Sequence, residues 1–291
     1  MKLLTYKSKL TGQVCAGVSF DGLRVFSLAE LGQPEGMSAL DFIRRLDCDF
    51  DSVRAPAAGG EAVAEAELLA PIPQPAGNII CIGLNYKAHV TESDSAGVIQ
   101  HSGDRPEAVY FTKNVNAVLA PGGLIDGHFD ICDSLDYESE LAVVIGKDAY
   151  QVPKEEAGEY IFGFSVLNDV TARAIQHDRT QWFMGKSLDT FCPMGPWIVT
   201  RDELGAAPEK AIRSYVNGEL RQNGNTGDLI HSIAEIIEDL SSGITLRAGT
   251  IIATGTPAGV GMGFKPPKYL KSGDVVRCEI EGVGVLENTV K

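Results

Sequence analysis

The alternation of apolar and polar residues along this chain has mostly the two-residue period of strands. Leu3–Lys7 and Val14–Phe20 alternate as half-buried strands do, and Asp21–Gly22 before Leu23–Ser27 predicts a hairpin. Met37–Leu46 changes to helical spacing, with Leu40, Phe42, Ile43 and Leu46 as its apolar positions. Proline, glycine and alanine accumulate over residues 54–77, a connector composition. The expected division is a small N-terminal domain with its connector over 1–70 and a larger domain over 71–291. In the larger block, Asn78–Gly83, Leu141–Ile145, Phe162–Leu167, Thr250–Thr254, Val275–Ile280 and Gly284–Val290 read as strands. One helix is expected over Leu229–Leu240, capped by Asp228, striped by Ile230, Ile233, Ile237 and Leu240, and stopped by Gly243. Neither βαβ alternation nor a short repeat is evident, so the expected class is α+β and β-rich.

Composition narrows the functions. The 291 residues carry 25 Lys and Arg against 39 Asp and Glu, a net charge of −14, which leaves no cation surplus for nucleic acid or an anionic membrane surface. Thirty-two glycines agree with a turn-rich, strand-rich fold. The six cysteines, Cys15, Cys48, Cys81, Cys132, Cys192 and Cys278, form no C-x-x-C pair, so buried free thiols are expected. With no apolar run of about 20 residues and no leader-like segment, a cytoplasmic protein is expected. Two motif-like stretches fail. Gly185-Lys186-Ser187 lacks the phosphate-loop glycine at position 180, which is Thr180; Gly259-Val260-Gly261 lacks its third glycine, because position 264 is Phe264.

Three stretches carry candidate chemistry. In Asp136-Tyr137-Glu138-Ser139-Glu140-Leu141, a strand would set Glu138 and Glu140 side by side on one face. Such a pair is either a solvated face or a buried site that demands a cation. Asp169 follows an apolar strand, as a helix cap or as a third carboxylate; three carboxylates would leave open positions on Mg²⁺ or Mn²⁺. His89 and Glu92 are three apart on one helical turn, as a surface pair or as an imidazole oriented by a carboxylate into a general base. Lys186 lies in a stretch read as a loop by its glycines and prolines, either solvated or able to stabilise an oxyanion beside a metal.

Taken in order, these segments resemble the fumarylacetoacetate hydrolase family. The matching pieces are Gly83-Leu84-Asn85-Tyr86 with His89 and Glu92, Phe111-Thr112-Lys113, Tyr137–Leu141, Asn168–Arg173, Lys186–Pro196 and Thr254–Gly261. The resemblance spans about residues 78–290, and more loosely the first 70 residues, which look like the small N-terminal α/β domain of many bacterial members. It implies a mixed β-roll holding a divalent ion, Mg²⁺ or Mn²⁺, on Glu138, Glu140 and Asp169, and a homodimer. It places the catalytic roles on His89, Glu92 and Lys186, and a substrate contact on Thr256. Lys113 and Arg105 are further substrate-binding candidates, Arg105 for a distal carboxylate. Asn85–Thr91 lacks the aspartate ligand of the larger hydrolases, so the resemblance is to shorter relatives with three carboxylate ligands. The implied activity is hydrolysis of a C–C bond in a 2,4-dioxo acid of the acylpyruvate type, giving pyruvate or a homologue and a carboxylic acid. In that scheme the ion chelates the 1-carboxylate and 2-oxo oxygen, His89 activates a water and Lys186 stabilises the oxyanion. The alternatives on the same site are decarboxylation, tautomerisation or isomerisation of a 2-oxo diacid, or ureidoglycolate cleavage.

Overall fold

The computed structural model describes residues 1–95 and 107–291. The N-terminal strands are β1 (Lys2–Lys7), β2 (Val14–Ser19) and β3 (Arg24–Ser27), and α1 (Ala39–Leu46) follows. The β2–β3 hairpin closes at Asp21–Gly22 as expected: Gly22 has φ +78°, and Asp21 Oδ1 accepts the N–H groups of Leu23 (2.7 Å) and Arg24 (2.9 Å). Helix α1 begins two residues later than its apolar pattern, because the Ser38 hydroxyl accepts the Asp41 N–H and fixes the start.

Next come β4 (Ile79–Gly83), α2 (Lys87–Ser95), β5 (Val109–Lys113), β6 (Ser139–Ile145) and β7 (Ile161–Asn168). Short helices α3 (Arg173–His177) and α4 (Phe183–Lys186) precede β8 (Met194–Thr200), β9 (Ala211–Val216) and β10 (Glu219–Asn225). Helix α5 (Ile233–Ser241), β11 (Ile251–Ala253), β12 (Val275–Ile280) and β13 (Gly284–Val290) complete the chain.

An eleven-stranded sheet contains the run β3-β2-β1-β8-β7-β6-β11-β4-β5, antiparallel except for the β11–β4 pair. Strand β1 bonds to β8 through Lys2↔Val199 and Leu3↔Ile198, so the N-terminal hairpin continues the sheet of the larger block. A five-stranded sheet, β10-β9-β12-β13 with Leu124–Ile125, packs on one face. The centre of the stack is β6, buried along its whole length. Leu141, Val143 and Ile145 join a core with Ile212, Cys278 and α5, while Ala142 and Val144 join another with Phe162, Phe42 and Ile43 of α1. This two-sided burial explains why β6 reads as a continuous apolar run. The fold is therefore α+β and β-rich, with the mixed sheets expected.

Helix α5 differs from its expected limits. It starts at Ile233 and not at Leu229, because Ser232 and Glu235 form a capping box. Asp228 instead ends a 3₁₀ turn, and the following residues are pinned to Asn85: the Ile230 N–H donates to its carbonyl (2.8 Å) and the His231 N–H to its side chain (2.7 Å). All six cysteines are free thiols; Cys15 and Cys48 are only half-buried. Among the described residues no helix is long and apolar enough to cross a membrane.

Candidate active site

Three strand ends bring the carboxylates together. The β6–β7 register pairs Ser139 with Asn168, and one step further the Asp169 N–H donates to the Glu138 carbonyl (2.8 Å). The Asn168 side chain in turn accepts the Glu138 N–H (3.0 Å), which locks the two backbones beyond the ladder. On the other side, β11 pairs with β6 and ends at Ala253, so that two residues on the Gly255 N–H donates to Glu140 (2.8 Å). Gly255 sits at φ +97°, and a Cβ there would stand 2.8 Å from the Asn85 side chain, so the turn needs glycine. Glu138 lies one residue before β6 and not within it, yet each of Glu138, Glu140 and Asp169 offers an oxygen within 4.8 Å of the others. All three are buried.

Cations surround two of the three. Lys186 Nζ bridges Glu138 (2.8 Å) and Asp169 (2.7 Å), and Arg173 reaches the other Glu138 oxygen (2.6 Å). Burial alone would raise the Glu138 pKa, but Lys186 and Arg173 beside it hold it well below the usual carboxylate range. Burial would lower the Lys186 pKa, and Asp169 and Glu138 raise it instead, so the ammonium form is favoured. Glu140 is different: among the described residues it has no ion-pair partner. Burial, then repulsion from Asp169 and Glu138, pushes its pKa well above the ordinary value. A buried carboxylate in that condition lacks a cation, and oxygen-only donors at this spacing suit a hard divalent ion. The residues present thus fit Mg²⁺ or Mn²⁺.

Lys186 ends helix α4 and is not in the loop its glycines and prolines suggested. Close packing seats it: a Cβ on Gly185 would be 2.7 Å from the Gln176 backbone, and Lys186 Nζ lies 5.1 Å from the Phe111 ring centroid. His89 and Glu92 lie on α2 with Nδ1 and Oε2 2.9 Å apart. The other Glu92 oxygen accepts the Gly259 N–H (2.9 Å), whose residue's carbonyl accepts the Tyr137 hydroxyl (2.9 Å). The dyad helix is thereby fastened to the carboxylate-bearing stretch. His89, Lys186, Glu138, Glu140 and Thr256 all line one cavity.

Two substrate candidates lie elsewhere or are already engaged. Lys113 is fully buried outside that cavity wall, where it pairs with Asp169 and donates to the Val170 carbonyl (3.0 Å). The Thr256 hydroxyl donates to the Ser139 carbonyl (2.8 Å) and accepts from Gln222 (2.7 Å), leaving its main-chain N–H without a partner among the described residues. Arg105 lies outside the described residues.

The sequence reading missed Arg173, Gln176 and Asp136. Arg173 and Gln176 line the cavity, and the Arg173 guanidinium donates to Gln176 Oε1 (3.1 Å) and to Asp136 (2.8 Å). Asp136 also accepts the N–H groups of Gly261 (2.6 Å) and Met262 (3.0 Å), so it ties the arginine to the glycine-rich turn. The i, i+3 spacing of Arg173 and Gln176 after an acidic strand end was the available signal.

Residues 78–291 match the family model of the fumarylacetoacetate (FAA) hydrolase C-terminal domain. The chain belongs to the fumarylacetoacetate hydrolase family. Within this family it is similar to oxaloacetate tautomerase YisK of Bacillus subtilis (strain 168), with 47% identity over 230 residues, 79% of this chain and 74% of that protein. The fumarylacetoacetate hydrolase of the psychrophilic Exiguobacterium antarcticum is 40% identical, with a TM-score of 0.84 over 100% of this chain and 99% of that one. A maleylpyruvate hydrolase from Sphingobium sp. SYK-6, solved with manganese(II) and pyruvate, is 27% identical, with a TM-score of 0.74 over 100% and 98% of the two chains. The family thus includes hydrolases and a tautomerase, and one relative binds manganese.

Proposed function

We propose that this protein is a divalent-metal-dependent enzyme that transfers a proton at C3 of a 2-oxo diacid, interconverting keto and enol forms of an oxaloacetate-type substrate. The observation that carries this reading is the oriented base His89, which shares a cavity with Glu138 and Glu140, two of the three clustered carboxylates. The similarity to a tautomerase at 47% identity supports the choice of reaction. An ion on Glu138, Glu140 and Asp169 would supply Lewis-acid polarisation of the 2-oxo group, acidifying the C3 hydrogens. His89, held by Glu92, removes or returns the C3 proton. Lys186 and Arg173 offer N–H donors to negative charge developing on substrate oxygen, and Gln176 lies beside Arg173. The second reading is hydrolysis of an acylpyruvate C–C bond, favoured by the same dyad acting on water and by the similarity to a maleylpyruvate hydrolase.

The test is Mn²⁺- or Mg²⁺-loaded protein against oxaloacetate, followed by enol absorbance, beside acetylpyruvate and fumarylpyruvate. Accelerated tautomerisation is expected, falling by about 10²–10⁴ in His89→Asn with Mn²⁺ binding retained. Cleavage of an acylpyruvate with no acceleration of oxaloacetate would establish the hydrolase reading instead.

A further inference from the structure

We propose that the Ser93 hydroxyl is a substrate-binding group, the donor that receives the carboxylate at the far end of the 2-oxo diacid. This inference rests on the functional reading above. Ser93 is 1% exposed, lines the cavity that holds His89, Glu138 and Glu140, and its oxygen has no hydrogen-bond partner among the described residues. A buried hydroxyl left unpaired is costly, and such groups in native proteins are rare enough to require a reason. The local escape is open to it: a helical Ser or Thr can donate to the carbonyl four residues back. On this same helix Thr91 does so, its hydroxyl bonding to the Lys87 carbonyl (3.1 Å), while Ser93 Oγ makes no such bond to the His89 carbonyl. Ser93 and His89 are four apart, on one face of α2, and both are buried. One turn of helix separates them by about 6 Å along the axis. That is the scale of the reach from a reacting carbon to a carboxylate just beyond it, hydrogen bonds included.

The neighbouring polar groups leave this task open. The Thr256 hydroxyl is committed to Ser139 and Gln222, and Lys186 and Arg173 are held at the carboxylate cluster by Glu138, Asp169 and Asp136, where they serve the developing charge at the 2-oxo end and not the far carboxylate. Glu92 fixes α2 against the turn that contains Gly259, and a Cβ on Gly263 would collide with the Glu92 carboxylate. The hydroxyl is therefore presented from a held helix and is available to an incoming ligand.

The experiment compares wild type with Ser93→Ala, both loaded with Mn²⁺. Because no protein partner is lost, the variant is expected to melt at or above the wild-type temperature and to bind Mn²⁺ equally. Oxalate, a chelator with no far group, is expected to bind both alike, whereas KM for oxaloacetate rises about tenfold or more in the variant. Equal oxalate binding with unchanged KM would overturn the role of Ser93 alone. A joint loss of melting temperature and Mn²⁺ affinity would make Ser93 structural and also overturn it. If oxalate fails to bind Mn²⁺-loaded wild type, the 2-oxo acid reading itself falls, and this role with it.

Discussion

Strands β6 and β7 contain two regions of equal burial and opposite chemistry. Over Leu141–Ile145 and Ile161–Leu167 the side chains are mostly apolar and enclosed by core on both faces. At the end of the same ladder stand Glu138, Glu140, Asn168 and Asp169, just as buried, with Lys113, Arg173 and Lys186 around them. With Asp136 included, four buried carboxylates face three buried cations, and Glu140 is the one left unpaired. The body of the ladder stabilises the fold through apolar burial. Its end opposes stability, since desolvated charge costs more than it returns unless fully compensated. A fold keeps such an end where chemistry requires it.

The contrast can be broken from either side. Glu140→Gln should have the largest effect on function, reducing metal-supported turnover about a thousandfold or more, because several kcal/mol of Lewis-acid assistance is lost. The same variant, freed of metal, should melt at or above the wild-type temperature near neutral pH, since it removes a repelled carboxylate. Calorimetry with and without Mn²⁺, beside an activity assay, measures both. Ile145→Ala strikes the apolar end. It should cost about 2–5 kcal/mol of unfolding free energy in denaturant titration. Mn²⁺ affinity should be unchanged, because the side chain lies in the core and not among the carboxylates.

The smallest effect is a pH dependence that separates two carboxylates of one cluster. Glu140 has a raised folded pKa, so its contribution to metal-free stability is present below its ordinary value of 4.5 and is lost as pH rises through the folded value. Glu138 has a depressed pKa, so its contribution is present above 4.5 and is lost as pH falls through the folded value. Added Mn²⁺ requires ionised ligands, so the melting-temperature increase it gives should grow as pH rises through the folded Glu140 pKa. A metal-induced increase that is flat across that range would refute the assignment of Glu140 as an unpaired ligand.

Much of the fold was legible because its signals are local. The Asp21–Gly22 hairpin, the strands Val275–Ile280 and Gly284–Val290, and the α1 stripe follow from turn chemistry and periodicity within a few residues. The start of α5 was misplaced because Asp228 and Ser232 are both acceptable caps. The choice was made by the capping box at Ser232 and by a partner 146 residues away, Asn85, which holds His231. The pairing of Lys113 with Asp169 was equally out of reach, because a lysine at a strand end reads alike whatever carboxylate the sheet brings to it.

By itself, then, the sequence determined the strand-rich class, the order of the motifs and the residue types able to hold a divalent ion and move a proton. Only the tertiary structure decided that Glu138, Glu140 and Asp169 converge, that Arg173 and Asp136 belong to the same cluster, and that among the described residues Glu140 alone of this cluster lacks an ion-pair partner and Ser93 Oγ a hydrogen-bond partner. The physical reason is range. Periodicity and capping act over a few residues, whereas desolvation and Coulomb terms depend on which strand ends the sheet brings together.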